Sequence, residues 1–333
     1  KECTASRYQV FKDFLYIFFK LKDFPDYYSQ FRWWDVDRSE WKYYYGSFYN
    51  PLQRGKLRKR VQRKEYEILF ADKYVCYQLC QSAKLPTPDI FAYIKPDDNY
   101  RSSIDTYTRQ HRKVIIKSTS GSGGKDIFLA FLHKGKIIIS DGDNLVDLNI
   151  FKLTHESILQ KYVIQHDSMS QVSNSVNTIR IETMLTLEND VLLLGAFLRF
   201  GLDAAITDNQ CCGGLSIGVD IPSGRLKEYA LNGRGEKFFA HPNSNFRFEA
   251  FKIPFWDEVV ELSKQIQFSF PYYKILGPDI AITPNGPIII EINGNPDHAG
   301  LEMDYGPTLK DPRIRKEFHR YDLLINKLIK SEL

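Results

Sequence analysis

The alternation of apolar and polar positions is clearest in Gly277-Pro278-Asp279-Ile280-Ala281-Ile282-Thr283-Pro284-Asn285-Gly286-Pro287-Ile288-Ile289-Ile290-Glu291-Ile292-Asn293. Two period-2 runs around Pro-Asn-Gly predict a β-hairpin, and a three-residue loop with glycine at the left-handed position pairs Thr283 with Pro287. In that register Asp279 stands opposite Glu291. Side chains alternate across a strand, so Asp279, Ala281, Glu291 and Asn293 share one face, while Ile280, Ile282, Ile288, Ile290 and Ile292 form a core face.

Other runs follow the same logic. Val114-Ile115-Ile116 and Ile127-Phe128-Leu129 are β-branched or apolar runs, and further strands are expected at 136–139, 158–164, 178–187, 191–200 and 215–220. Helical spacing predicts a helix opened by Asp72 that runs through Leu79 and Ala83 and stops before Leu85-Pro86-Thr87-Pro88. A second helix, 256–268, repeats Val259, Val260, Ser263 and Ile266. A third is capped by Asp311, opens on Pro312 and carries Ile314, Phe318, Tyr321, Ile325 and Leu328. Before residue 70 the dominant signal is aromatic: Phe31, Trp33, Trp34, Trp41, Tyr43, Tyr44, Tyr45, Phe48 and Tyr49 predict core or interface. No internal repeat or low-complexity segment is present.

Length bounds the architecture. At 333 residues and 38.8 kDa the chain exceeds the size at which single cores stop growing, so two or three lobes are expected. Against 45 basic residues stand 41 acidic ones, and a net charge of +4 is too small to imply wholesale nucleic-acid binding. One local run, Arg54, Lys56, Arg58, Lys59, Arg60, Arg63 and Lys64, is either a solvated helix face or a contact for an anionic membrane surface or nucleotide-linked sugar. Five cysteines fit neither a disulfide framework nor a complete zinc site, which points to a reducing cytosol, with Cys76 and Cys80 in the core. The apolar stretch Phe14 to Phe19 is too short to span a bilayer and no signal-peptide pattern follows it. The chain starts at Lys1 and not at methionine, which leaves room for preceding residues.

Candidate chemistry starts at the hairpin. Two carboxylates at cross-strand distance repel unless a cation or proton lies between them, and a divalent ion such as Mg2+ suits a few carboxylate and amide oxygens plus phosphates. The alternative is an ordinary hairpin with two exposed acids. Ser118-Thr119-Ser120-Gly121-Ser122-Gly123-Gly124-Lys125 lies between two predicted strands, either as a turn rich in small residues or as a loop whose backbone N–H groups close over phosphates. Lys117 just before it favours phosphate. Leu159-Gln160-Lys161-Tyr162-Val163 reads as a strand or hinge able to hold an adenine edge. Arg180 and Arg199 on inner strands each require an anion, either a ligand or a structural Asp or Glu, and Asp208-Asn209 precedes Gly213-Gly214. His166, His241 and His298 are candidate bases, each with a structural alternative.

This order of parts resembles the ATP-grasp superfamily. Asp23-Phe24-Pro25-Asp26-Tyr27-Tyr28, Asp72-Lys73, Gln165-His166, Ser175-Val176-Asn177-Thr178-Ile179-Arg180, Asp208-Asn209, His241-Pro242, Ile253-Pro254-Phe255-Trp256 and Gly277-Pro278-Asp279 resemble the sugar-transfer-associated ATP-grasp family of bacterial polysaccharide clusters. The Asn-Thr-x-Arg and Glu-Ile-Asn segments are its most specific parts, the glycine loop its least.

The resemblance implies an α+β ATP-grasp fold, with a mainly helical N-terminal region (1–70), a smaller lobe with the glycine loop (71–165) and a larger lobe with the metal site (166–333). It implies that Lys73 and Lys117 hold ATP phosphates beneath a lid of Ser120, Gly121, Ser122, Gly123 and Gly124. Gln160, Lys161 and Val163 would line the adenine hinge, although many relatives have Glu at the position of Gln160. Asp167, or alternatively Gln165 or His166, would lie near the ribose. Asp279, Glu291 and Asn293 would carry one or two Mg2+ (or Mn2+), and Arg180, Arg199 and Asn209 would face the γ-phosphate and an acyl substrate. Several relatives place an arginine two residues before the metal aspartate; here Gly277 stands there, so Arg199 would meet that charge.

The implied activity is a cytoplasmic bacterial ligase that joins a small carboxylate, a sugar acid or amino acid, to an amine or thiol through an acyl phosphate. A small-molecule kinase and a non-catalytic nucleotide-binding partner of a glycosyltransferase system are the alternatives. Residues 297–307 would shape the acceptor pocket.

Overall fold

The computed structural model describes residues 3–46, 50–96, 99–121, 123, 126–173, 175–202, 214–249 and 251–333. Phe48, Tyr49, Ser122, Gly124, Asp208, Asn209 and Gly213 lie outside the described residues.

The first sheet is built from β1 (Ile90–Ile94), β2 (Lys113–Ser118), β3 (Ile127–His133), β4 (Lys136–Ser140), β5 (Leu145–Asp147) and β6 (Ser157–Lys161), in the order β1-β6-β2-β3-β4-β5. All its pairings are antiparallel. Val114, Ile116, Ala130, Ile139 and Leu159 alternate inward and pack against Ile104 of a helix at Tyr100–His111, which closes one side.

The second sheet uses β7 (Thr178–Leu185), β8 (Val191–Phe200), β9 (Leu215–Asp220), β10 (Arg225–Leu226), β11 (Ala230–Leu231), β12 (Lys237–Phe238), β13 (Ile275–Thr283) and β14 (Gly286–Asn293). Among the described residues its order is β12-β11-β9-β8-β7-β13-β14, with β10 on β9. The helix Trp256–Ser269 covers one face through Val259, Leu262 and Ile266. The opposite face meets Leu301, Ile314 and Phe318. It is this second face whose strand ends carry the polar residues of interest.

The hairpin differs from expectation in a way that cancels. Its loop has two residues, Pro284 and Asn285, and Thr283 pairs with Gly286, whose φ is +115°. A bulge at Ile290 then restores one residue, so Asp279 does stand opposite Glu291. Between loop and bulge the register is shifted, which puts Ile289 opposite Ile280 and into the core with Ile282 and Ile292, while Ile288 and Ile290 are only half-buried.

The expected C-terminal helix is two pieces. Asp311 caps Pro312–Arg320 by accepting from the Arg313 N–H, but Asp322 adopts φ 54° and ends the helical path. That turn buries Leu323 and Leu324, and Asn326 caps a new turn at Lys327–Lys330. The strand expected at 158–164 stops at Lys161.

The N-terminal region forms its own aromatic core. Ile17, Leu21, Tyr28, Phe31, Trp33 and Trp41 pack together and against Ala299. The Trp33 and Trp41 rings stack at 5.0 Å. The basic run is no uniform patch: Lys56 and Arg60 both reach Asp322, and Arg63 reaches Glu65. Among the described residues no helix is long and apolar enough to cross a membrane.

Candidate active site

The two sheets meet at a solvent-open cleft of about 430 Å3. From the first sheet come Lys117, Ile158 and Gln160; from the second, Ile289, Ile290 and Glu291. The helix α1 (Lys73–Ser82) supplies Lys73, Cys76, Tyr77 and Cys80. Asp72 fixes the start of α1 by accepting from the N–H groups of Tyr74 and Val75, as its cap position predicts. Lys73 thereby projects from the first turn. Its Nζ donates to the Gly121 carbonyl at 3.0 Å and lies 3.7 Å from Glu291 Oε1, so one ammonium bridges the glycine loop and β14.

Around Asp279 the second sheet concentrates charge. Arg180 on β7 is its direct cross-strand neighbour. The guanidinium donates from Nε to Oδ1 at 2.5 Å and from Nη2 to Oδ2 at 2.7 Å. Arg199 on β8 places Nη2 2.9 Å from Oδ2 and is oriented by the Thr178 hydroxyl, 2.7 Å from the same nitrogen. Asn293 donates from Nδ2 to the Gly277 carbonyl and, at 3.3 Å, to Asp279 Oδ2. Burial opposes ionisation of Asp279, but the two guanidinium charges outweigh it and hold the carboxyl below its usual range. Burial likewise opposes the charge on Arg180, and Asp279 outweighs it, so that guanidinium is held still more firmly protonated. The repulsion between the two acids is thus met by cations of the chain itself, Arg180 and Arg199 for Asp279 and Lys73 for Glu291.

Gly277 makes this arrangement possible. A Cβ there would stand 2.7 Å from Pro296 Cβ and 3.2 Å from Arg180 Cδ. An arginine at this position has no room beside Arg180.

Of the other candidates, Gly121 and Gly123 have positive φ, and a Cβ on Gly121 would meet open space. Ser120 is exposed, and its carbonyl accepts from the Ser118 hydroxyl. Gln160 is buried and donates weakly to the Pro88 carbonyl. Lys161, Val163 and Asp167 are not among the residues that line the cleft; Lys161 is exposed beside Asp89 Oδ2, and Asp167 is exposed at the start of a single turn, Asp167–Ser170. Gln165 is buried among structural bonds to Ser173, Ser175 and Asn177.

Each candidate histidine has a structural position. His166 caps the Asp167–Ser170 turn through its ring, and His241 lies buried 3.0 Å from the Gly201 carbonyl. His298, on α2 (His298–Tyr305), sits with Nδ1 2.8 Å from Glu182 Oε2 and Nε2 2.9 Å from the Thr308 hydroxyl. Glu302 completes this group by accepting from the N–H groups of Tyr45 and Thr308. Sequence reading missed this network. The available signal was Glu182 two residues after Arg180, which puts a second buried charge on the same face of β7.

Two carboxylates and one amide form a hard oxygen donor set. Glu291 keeps about a third of its side chain exposed, and the Asn293 amide can present oxygen instead of nitrogen by rotation. Among the described residues no group of three or more His, Cys, Asp and Glu could hold a metal ion.

A model of sugar-transfer associated ATP-grasp proteins matches residues 52–316. The chain belongs to this family. No curated protein matches the sequence. Among solved structures, the ATP-grasp chain is similar to N5-carboxyaminoimidazole ribonucleotide synthetase from Thermotoga maritima, at 12% identity and TM-score 0.38, over 70% of this chain and 44% of that one. It is similar to D-alanyl-alanine synthetase A from Vibrio cholerae at 6% identity and TM-score 0.46, over 80% and 66%. A third is the biotin carboxylase domain of 2-oxoglutarate carboxylase from Hydrogenobacter thermophilus, solved with MgADP, at 14% identity and TM-score 0.42, over 73% and 45%. The chain spans less than half the length of the first ribonucleotide synthetases it matches. The match covers both sheets and the cleft between them, while most of the helical, aromatic N-terminal region precedes it.

Proposed function

We propose that the protein is an ATP-dependent ligase that activates a small carboxylate as an acyl phosphate and transfers it to an amine or thiol. One observation carries this reading: Lys73 reaches the glycine loop and Glu291 together, at a cleft also lined by Lys117 and Gln160. Nucleotide phosphates in this cleft would meet both lysines as point charges, beside the Gly121 backbone that Lys73 already holds. Asp279, Glu291 and Asn293 would hold Mg2+, which neutralises phosphate oxygens when bound.

In the reaction a substrate carboxylate oxygen attacks the γ-phosphorus, the bond to the bridging oxygen breaks, and ADP leaves. The amine nitrogen then attacks the acyl carbon, phosphate departs with the electron pair of the broken C–O bond, and the nitrogen gives up its extra proton to solvent or the departing phosphate. No protein nucleophile is needed. Arg180 and Arg199 are held where they can exchange part of their hold on Asp279 for a developing phosphoryl or acyl charge, a role worth roughly 10³-fold or more for one well-placed arginine.

The acceptor would use the open cavity of about 520 Å3 where Tyr44, Lys227, Tyr229 and Met303 form part of the wall. The family's association with sugar transfer supports a sugar acid or amino acid of a surface polysaccharide as substrate, handled in a bacterial cytoplasm. The described cysteines, Cys3, Cys76 and Cys80, are unpaired, which suits a reducing compartment.

The test is ADP release from ATP and Mg2+ across a panel of sugar acids and amino acids, with and without amines. With the active pair, 18O placed in the substrate carboxylate is expected in the released phosphate. Its absence, with a phosphorylated small molecule as product, would make the protein a kinase. Glu291→Ala is expected to abolish turnover, and full turnover in that variant would sink the metal assignment.

A further inference from the structure

Among the described residues, seven of the seventeen exposed large apolar side chains fall between Tyr8 and Phe24. Scattered exposed apolar residues are ordinary, but a contiguous patch calls for a partner. The helix at Arg7–Tyr16 and the π turn at Ile17–Leu21 that follows it bury Asp13, Ile17 and Leu21. On the outer side Tyr8, Phe11, Leu15 and Phe18 recur at helical spacing, so they form one stripe. Phe18 extends it by edge contacts to Phe19 at 5.2 Å and Phe24 at 5.9 Å.

Charge selects the partner. Within residues 7–24 the exposed charged side chains are Arg7, Lys12, Lys20 and Lys22. The two acids of this stretch are turned inward: Asp13 is 2% exposed and bonded to Tyr28 and Arg38, and Asp23 is 6% exposed and accepts from Phe24 and Asn50. A second copy of the chain docking face to face would set these cations against one another. An anionic bilayer satisfies both features, since the rings enter the headgroup and acyl boundary while the lysines meet lipid phosphates.

We propose that this face of the N-terminal region docks on an anionic phospholipid bilayer, with the helix lying in the interfacial plane. The buried side of the same segment packs with Phe31, which also walls the large cavity beside Met303, so docking holds that cavity near the lipid surface. This inference is independent of the reaction proposed above.

Flotation of the full chain with vesicles of phosphatidylglycerol and phosphatidylcholine, against phosphatidylcholine alone, tests it. Binding is expected only to the anionic vesicles and is expected to weaken with salt. Lys12→Glu with Lys20→Glu lowers the partition coefficient by at least about 25-fold, each lysine near such a surface being worth roughly fivefold. Phe11→Ser with Phe18→Ser lowers it by about tenfold or more. All four positions are exposed, so circular dichroism and thermal midpoint should match the parent. Absence of wild-type flotation overturns the proposal, as does a serine variant that floats like the parent. A dimer seen by sedimentation without vesicles, abolished by the serine pair while no vesicle binding occurs, would reassign the face to self-association.

Discussion

Removing the charge of Asp279 isolates the two guanidiniums that share it. In Asp279→Asn the shape is kept, but Arg180 and Arg199, with side chains 13% and 12% exposed, lose their common anion. Their nitrogens lie 2.7 and 2.9 Å from the same oxygen, so they are within about 5.6 Å of each other. At an effective dielectric of about 20, two unit charges at that distance repel by on the order of 3 kcal/mol. Breaking a buried pair typically costs about 3–5 kcal/mol, and the two figures agree on scale. Equilibrium urea denaturation of Asp279→Asn is therefore expected to show a loss of about 3 kcal/mol or more. Arg199→Met alone should cost less, because Asp279 keeps its two bonds to Arg180. The double variant should be more stable than Asp279→Asn by about 2 kcal/mol, since one of the two repelling charges is gone. That non-additivity is the signature of a shared anion. If the double variant equals the sum of the singles, or Asp279→Asn lies within about 1 kcal/mol of the parent, the clamp does not hold these charges and the reasoning fails.

Three other substitutions follow from the same geometry. Gly277→Ala puts a methyl 2.7 Å from Pro296 and against Arg180, so a loss of about 1–3 kcal/mol in urea and a marked fall in ADP release are expected. Asp72→Ala removes the cap of α1; it should cost about 1 kcal/mol and raise the KM for ATP more than it lowers kcat, because Lys73 begins that helix. His298→Gln leaves Glu182 buried without its ionic partner. Burial disfavours the charge on His298, yet Glu182, then Glu302 and Asp297, overcome this and raise its pKa. The stabilisation is therefore full below about pH 6.5 and is lost as pH rises through the higher folded value. The deficit of His298→Gln in urea should accordingly be about 3 kcal/mol near pH 6 and distinctly smaller at pH 9.

What could be read from the chain alone was set by local period and by pairing across a short loop. The strands 191–200 and 215–220, the Asp72 and Asp311 caps and the pairing of Asp279 with Glu291 are of this kind. The hairpin shows the limit. A loop one residue shorter than expected and a bulge of one residue offset each other, so the pairing of the two acids was found while the identity of the core isoleucine, Ile289, was not. A bulge leaves no mark in a run of three isoleucines, because each choice buries the same side chain. The break of the C-terminal helix at Asp322 was equally silent: Leu323 and Leu324 needed a turn that only the surrounding core defines.

The arginines raise a deeper question of legibility. A buried guanidinium demands an anion, and the sequence allowed either a ligand or a structural acid. The fold shows the acid, Asp279, and it is the same residue the family resemblance places on the metal. These two assignments compete for the same two oxygens. An anionic ligand resolves the competition, because phosphate oxygens can receive the guanidiniums and free Asp279 for a cation. Without such a ligand, a metal at Asp279 would stand beside two guanidinium charges that hold the same two oxygens. Binding of Mg2+ and of nucleotide should therefore be strongly coupled: Mg2+ alone should barely move the thermal midpoint, nucleotide alone modestly, and the two together by more than the sum. By linkage, an affinity gain of about 100-fold corresponds to about 2.7 kcal/mol of coupling. Additive shifts would mean that the arginines do not move, and that the ion binds elsewhere than Asp279.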